Sequence, residues 1–530
     1  MTKGSINRVL PTAFSLIMLS AAIILSSSPA AAQQGNTPAP GQNTTSAPGA
    51  GGAPQSGNAQ RAPAPGQGGT PGGTSNGRTT GAGVQVGAPT QSRGTGAITG
   101  GQTIPGAAVV TDGPAELSLE EAIQTAIRNN LSTLLARERR REAEGFKQEA
   151  RSALLPNISG TAYQASVTQN LAALGFQPGT FPGITNTFIG PFNNFDARAR
   201  LVQTIFNLSA IKNYRAGRAG VRVAEYEEQL AREQVASGTA LVYLEALRSG
   251  RAVGAAQADV ELAQALVKLA EDQRNAGVAT GVDVTRAQVR LAGEQVRLAQ
   301  AQSGSEQALL NLQRVVGLPL GAPLTLTDPL RFTDEPTPAP EQLIEQAGQS
   351  RPEVRIAEEQ IRVNKLEREA VHAEYLPSVE FMGDYGVSGI TPANTALPTR
   401  RAAVQLNVPI FNGGLTRSRE AVAASRQRQA ELQLGNVRGQ VEQDVRLALA
   451  TLRTAAAQVR ASDEGVRLAE RELAMARDRF RAGVGDNLEV TSAQTALANA
   501  RDAQVTALAQ YNAARLNLAA ATGRAEAFRW

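Results

Sequence analysis

LPSVEFMGDYGVSG (376–389) and LPTRRAAVQLNVPIFNGG (397–414) are the stretches that decide how this chain folds. Pro377 pushes Leu376 out of the α region, so a helix arriving from the N-terminal side must stop there. The residues that follow alternate. Val379, Phe381, Gly383, Tyr385 and Val387 point one way, and Glu380, Met382 and Asp384 the other. In the second stretch Ala402, Val404, Leu406, Val408 and Ile410 oppose Arg401, Gln405 and Asn407. A period of two over about ten residues, with a polar reverse face, suits a half-buried strand or a barrel strand between lipid and water.

Working outward, the same text occurs earlier in the chain. Glu120, Ile123, Ala126, Ala136, Leu155 and Pro156 reappear 221 residues later as Glu341, Ile344, Ala347, Ala357, Leu376 and Pro377. Ile205-Phe206-Asn207 returns as Ile410-Phe411-Asn412 at a shift of 205, and Ala276-Gly277-Val278 as Ala482-Gly483-Val484 at 206. Residues 114–330 and 331–530 therefore read as two copies of one unit. Each copy runs helix, strand, loop, strand, long helix, turn, helix. The largest difference in length falls in one loop, 168–195 against 388–399.

The helical parts are rich in alanine and carry seams at three-and-four spacing. One runs Val490, Ala493, Leu497, Ala500, Gln504, Ala507, Tyr511, Ala514, Leu518; its counterpart runs Val284, Ala287, Leu291, Glu294, Leu298, Ala301, Ser305, Ala308, Leu312. Such seams predict coiled-coil packing with closely approaching helices. The leading helices are expected at 120–154 and 341–375, the long ones at 209–276 and 413–482, the returning ones at 281–316 and 487–522. A leading and a returning helix laid end to end match one long helix, roughly 100 Å at about 1.5 Å per residue. The strands then sit at one end of a rod and the turns at 277–281 and 483–487 at the other. Four strands cannot enclose a pore, because bacterial membrane barrels begin at about eight. Closure needs two or three copies, and a cyclic arrangement is favoured.

Composition narrows the chemistry. The 530 residues hold no cysteine and one histidine, His372, which removes thiolate sites, disulfides and any site that needs two imidazoles. No triad, metal cluster or phosphate loop is present, so neither an enzyme nor a cofactor is expected. The formal charge of +5 is local. Lys3, Arg8, Arg61, Arg78 and Arg93 against Asp112 leave +1 for residues 114–530, which gives no support to nucleic-acid binding. Residues 1–32 form a signal peptide, with Lys3 and Arg8, an apolar run from Ala13 to Leu25, and Ala30-Ala31-Ala32 before Gln33. Residues 33–113, with 21 Gly, 9 Pro and no aromatic, read as a disordered leader. His372 reads as a packing or interfacial residue and Arg139-Arg140-Arg141 as a solvated helix face. Phe176, Phe181, Phe188, Phe192 and Phe195 suit a surface belt or loop packing. Phe528-Arg529-Trp530 imitates a terminal barrel aromatic, but the repeat places all strands earlier, so it reads as coincidence or as an assembly signal with no strand attached.

The duplicated unit, the Leu-Pro strand entries, the Ile-Phe-Asn strand exits and the Ala-Gly-Val turns together resemble the TolC family of outer-membrane channel-tunnels, over residues 115–523. With no cysteine to lipidate, the chain resembles the unlipidated branch. The resemblance implies a mostly α fold with a small β-barrel contribution. It implies a homotrimer: a twelve-stranded barrel in outer-membrane lipid and a helical tunnel in the periplasm. It further implies passive export driven by an inner-membrane pump (antiporter or ABC exporter) through a periplasmic adaptor, or membrane fusion protein. Efflux of drugs or metals and type I secretion of protein are left open. By motif, Asp283 and Glu489 fall on the family's periplasmic gate positions, while Ser492 and Gly485 stand where some members have an acid and an arginine. In each copy the acid also lies in the first turn of a helix, where the dipole favours it by about 0.3–1 kcal/mol. Gly277, Val278, Gly483 and Val484 fall on the adaptor-docking tips, and would otherwise serve as helix C-caps. A periplasmic coiled-coil structural or adaptor protein is the alternative class; it accounts for the long helices but not for the paired strands.

Overall fold

A computed structural model describes residues 105–111, 116–177, 186–333, 338–393, 395–482 and 484–529. The expected signal peptide, the expected leader up to residue 104, Phe181, Gly483 and Trp530 lie outside the described residues. The elements run β1 (Glu116–Leu117), α1 (Leu119–Asn129), α2 (Leu131–Ser152), β2 (Asn157–Asn170), β3 (Phe188–Phe206), α3 (Leu208–Asn275), α4 (Gly281–Val316), β4 (Thr325–Leu326), α5 (Pro340–Ser350), α6 (Pro352–His372), β5 (Ser378–Gly389), β6 (Leu397–Asn407), α7 (Leu415–Arg481) and α8 (Asn487–Ala521).

The order helix, strand, strand, long helix, helix occurs twice, as the alternation and the Leu-Pro breaks require. Both nine-residue seams are at least half-buried throughout, with Val284, Ala287, Glu294, Ala308 and Leu312 buried on α4 and Val490, Ala493, Leu497, Ala507, Tyr511 and Ala514 on α8. Three layers share one arrangement. The antiparallel sheet is ordered β2-β3-β5-β6. The helices nearest it pack α2-α3-α6-α7, and those toward the turns pack α4-α3-α8-α7. Between the two hairpins Arg501 on α8 reaches Asp259 on α3 at 3.0 Å, and Arg297 on α4 reaches Asp502 on α8 at 2.5 Å. Burial raises the Asp259 carboxyl above its usual range, and the Arg501 charge pulls it back down.

Three expectations need correction. Each leading helix is two helices rather than one. Asn130 sits in the β region and its side chain accepts from Ser132 N to cap α2, while Arg351 precedes Pro352 and is excluded from the helical region for that reason. Beyond each break α1 goes on packing against α3, and α5 against α7. α1 packs beside the parallel pair β1–β4 in a core that includes Leu117, Leu119, Ile123, Tyr243, Leu312, Leu516 and Phe528, whereas Leu343 and Ala347 of α5 pack with Val441, Val445 and Leu449 of α7. Phe528 is buried in this core (9% exposed), outside any strand.

The leader is not structureless to residue 113. Ala107 N donates to Arg314 O (3.0 Å), Ala108 N to Asn129 O (2.8 Å) and Thr111 N to Gly317 O (2.9 Å). The buried Asn130 side chain donates to Pro105 O at 2.6 Å. This strap fills the α1–α2 break. The strands also differ in extent, since β2 runs to Asn170 and β3 starts at Phe188, which shortens the expected loop, and β6 stops at Asn407, before Val408 and Ile410. His372 is exposed, 3.3 Å from Glu420 and edge-on to Tyr375.

Candidate functional site

The sheet has two chemically distinct faces, and its register proves it. One row runs Ile158, Leu201, Gly383, Ala402; another runs Phe206, Val379, Leu406, with Phe381 opposite Val404 between them. The reverse face carries the row Ser159, Arg200, Asp384, Arg401. Here Arg198 pairs with Asp196 and, at 3.2 Å, with Asp384, which Arg401 also reaches at 3.2 Å. The apolar face is solvent-exposed, with Ile158 at 73% and Val404 at 67%. Among the described residues no helix is long and apolar enough to cross a bilayer. Phe188 and Phe192 lie exposed toward the loop end of β3, and Phe176 in the loop, as a surface belt requires.

At the opposite end, the two hairpin turns present the residues singled out by motif. Gly277 adopts φ +75 with open space around it, and Val278 is exposed. Val278 N donates back to Gln273 O at 2.9 Å, which closes the end of α3. Val484 is equally exposed.

Asp283 and Glu489 occupy the same position, the third residue of α4 and of α8. Their surroundings differ. Asp283 completes a capping box: it accepts from Thr280 N (2.9 Å) and Thr280 Oγ1 (2.6 Å), with Arg286 at 3.7 Å. Those hydrogen bonds hold its carboxyl below the usual carboxylate range. Glu489 makes no such box, because Asp486 caps α8; its carboxylate turns to Arg479 Nε at 3.1 Å. Arg479 is a tip residue that motif reasoning missed. Asn487 Nδ2 donates to Asp283 O at 2.7 Å and ties the two tips together. No group of three or more His, Cys, Asp or Glu among the described residues is placed to hold a metal ion.

The same architecture occurs in known proteins. A family model described as outer membrane efflux protein matches residues 122–318 and 343–524. Protein CyaE of Bordetella pertussis is 29% identical over 290 residues, 53% of this chain and 60% of CyaE. Alkaline protease secretion protein AprF of Pseudomonas aeruginosa is 26% identical over 318 residues, 58% of this chain and 65% of AprF. The chain thus matches less than two thirds of the length of either relative. The CmeC outer membrane channel of Campylobacter jejuni has a TM-score of 0.64 at 19% identity, covering 77% of this chain and 86% of CmeC, a likeness of fold. With the match extending over both halves, the chain belongs to the outer membrane efflux protein family.

Proposed function

We propose that this chain is one stave of an outer-membrane exit duct. Three copies close a twelve-stranded barrel from their sheets and a periplasmic tunnel from their helices. Residues 114–330 and 331–530 act as two equivalent halves of each stave. Cargo leaves passively, pushed by an inner-membrane pump through a periplasmic adaptor.

One observation carries this reading: the sheet and both helix layers are open on corresponding flanks. Among the described residues β2 and β6 are unpaired edges. α2 or α4 flanks each helix layer on one side and α7 on the other. An open edge with an apolar face is untenable in lipid, where every backbone group must be bonded internally, and it is an aggregation hazard in water. The flanking helices add support. Val282, Val289 and Val296 recur every seven residues on α4, and Leu468 and Met475 on α7, all exposed. The barrel minimum of about eight strands requires more than one copy, and the family resemblance selects three.

In that ring the apolar sheet face meets lipid and the Arg–Asp face lines water. Asp283 and Glu489 supply six carboxylates around the periplasmic aperture, where they attract cations. Gly277, Val278, Gly483 and Val484 are the tip positions at which the adaptor docks; Val278 and Val484 are exposed. Planar-bilayer recording of the detergent-purified protein tests this: discrete conductance steps are expected. A protein that stays soluble without detergent and gives no steps would instead be a periplasmic coiled-coil or adaptor protein.

A further inference from the structure

The charges of the sheet divide unequally between its faces. Asp196, Arg198, Arg200, Glu380, Asp384 and Arg401 all lie on the reverse face, and β2 carries no charge at all. The remaining charge is Arg400. It stands on the apolar face, directly opposite Tyr385, in the row Gly160, Ala199, Tyr385, Arg400. Gly383 and Ala402 flank this pair on one side, Val387 and Pro398 on the other. Arg400 is exposed, and among the described residues its side chain makes no ion pair or hydrogen bond. The nearest acid along the sheet, Asp384, is on the other face and is already engaged by Arg198 and Arg401.

No protein group neutralises this cation. Residues 157–195 and 385–399, which include β2 and the loops at this end of the sheet, contain no Asp, Glu, Lys or Arg. Neither this chain nor a second copy presenting its β2 edge supplies an acid there. Position along the strand points to the counter-ion. Counted from Leu406, in the row nearest the helices, Arg400 is six residues toward the loops. That is roughly 15 Å of height at about 3.4 Å per residue and a tilt of about 40°. The exposed Val408 and Ile410 extend the apolar surface below that row. In a band about 25 Å tall, Arg400 therefore stands near the rim on the loop side, where an exposed cation is least costly and its stem reaches headgroup level.

We propose that Arg400 and Tyr385 form a binding site for the phosphate of a lipid headgroup in the leaflet on the loop side of the barrel. This rests on the duct reading, which puts the face in lipid, and adds a specific headgroup contact. The guanidinium fork matches two phosphate oxygens, and the phenol of Tyr385, 57% exposed, supplies a third donor. Residues directly opposite in an antiparallel pair have Cβ atoms about 5 Å apart, so both donors reach one headgroup. The small side chains of Gly160, Ala199, Gly383 and Ala402 leave the surface beside them low enough for an acyl chain to lie against.

The full chain is purified in detergent, its oligomeric mass measured, and the particle equilibrated with dioleoylphosphatidic acid or with dioleoylglycerol, which has the same acyl chains and no phosphate. Bound lipid is counted by native mass spectrometry. Phosphatidic acid is expected to bind at least about tenfold more tightly, the order of one charge-assisted pair. R400Q should remove that preference and R400K should keep most of it. Y385F should weaken phosphatidic acid by about threefold, as for one neutral hydrogen bond. R401Q, which removes the adjacent cation from the reverse face, should leave the preference intact. An R400Q oligomer of native mass that keeps the preference overturns the site. Equal loss in R401Q assigns the preference to net charge and also overturns it. Displacement of the lipid by equimolar inorganic phosphate makes the ligand a free anion and overturns the lipid assignment. Equal binding of both lipids by the unmodified oligomer overturns phosphate recognition and leaves the duct standing. A chain that is monomeric and binds neither lipid overturns the duct reading itself.

Discussion

Asn487, the first residue of α8, donates its side-chain amide to the backbone carbonyl of Asp283 in the first turn of α4, 2.7 Å away. The two hairpins are thus fastened to each other at their tips, beside the two acids that motif reasoning marked as a gate. Asp283 is engaged by its own capping box, and Glu489 by Arg479.

If these carboxylates set the field of a narrow aperture, D283N with E489Q keeps their shape and removes the charge. Single-channel recordings of the double variant are expected to show weaker cation selectivity and less block by multivalent cations added on the periplasmic side. Unchanged selectivity and block would leave both residues as helix caps only.

Acid should loosen the first tip. Thr280 lowers the Asp283 carboxyl below its unfolded value, so the stabilisation is complete above the unfolded pKa, about 3.9, and is lost as pH falls through the lower folded value. Amide exchange around residues 280–284, corrected for intrinsic rates, is expected to rise below about pH 4. D283N should abolish that pH dependence; a rise that persists in D283N would assign it to another group.

Much of this was legible in advance. The strand faces, both buried seams and the turn positions follow from period and spacing alone, since they depend on neighbours along the chain. Where the reading failed, the cause is physical. Arg351-Pro352 carries the same proline signal that ended helices at Leu155 and Leu376, yet the apolar pattern runs through it and masks the break. Arg479 and Glu489 meet around a turn, ten residues apart, outside the i, i+4 geometry that a helix makes visible. The strap binds mostly through backbone groups and small residues, which leave no hydrophobic period to detect.

That strap sets a boundary. Deleting 36–104 is expected to preserve folding and oligomer formation. Extending the deletion through 111 strips the buried Asn130 amide of Pro105 O and Asn129 of Thr111 Oγ1, at about 1–3 kcal/mol for each unsatisfied group. Equal thermal stability of the two deletions would show that the strap is dispensable.

Gly317 and Gly277 both require positive φ, but only one is crowded. A Cβ at 317 would meet Val109 O at 2.5 Å and Ala107 Cβ at 2.7 Å, whereas nothing lies within 4 Å at 277. Alanine at either site bears a left-handed cost of about 1–2 kcal/mol. G317A should be the more destabilising by at least about 1 kcal/mol, the lower end for overpacking a filled site. Denaturation midpoints that coincide would contradict the steric argument.

The mass of the detergent-extracted particle, measured with bound detergent subtracted, bears most directly on ring closure. Three processed chains per particle is the expected result: four strands with two open edges cannot close alone, and the family resemblance selects three. A stable monomer or dimer would contradict it.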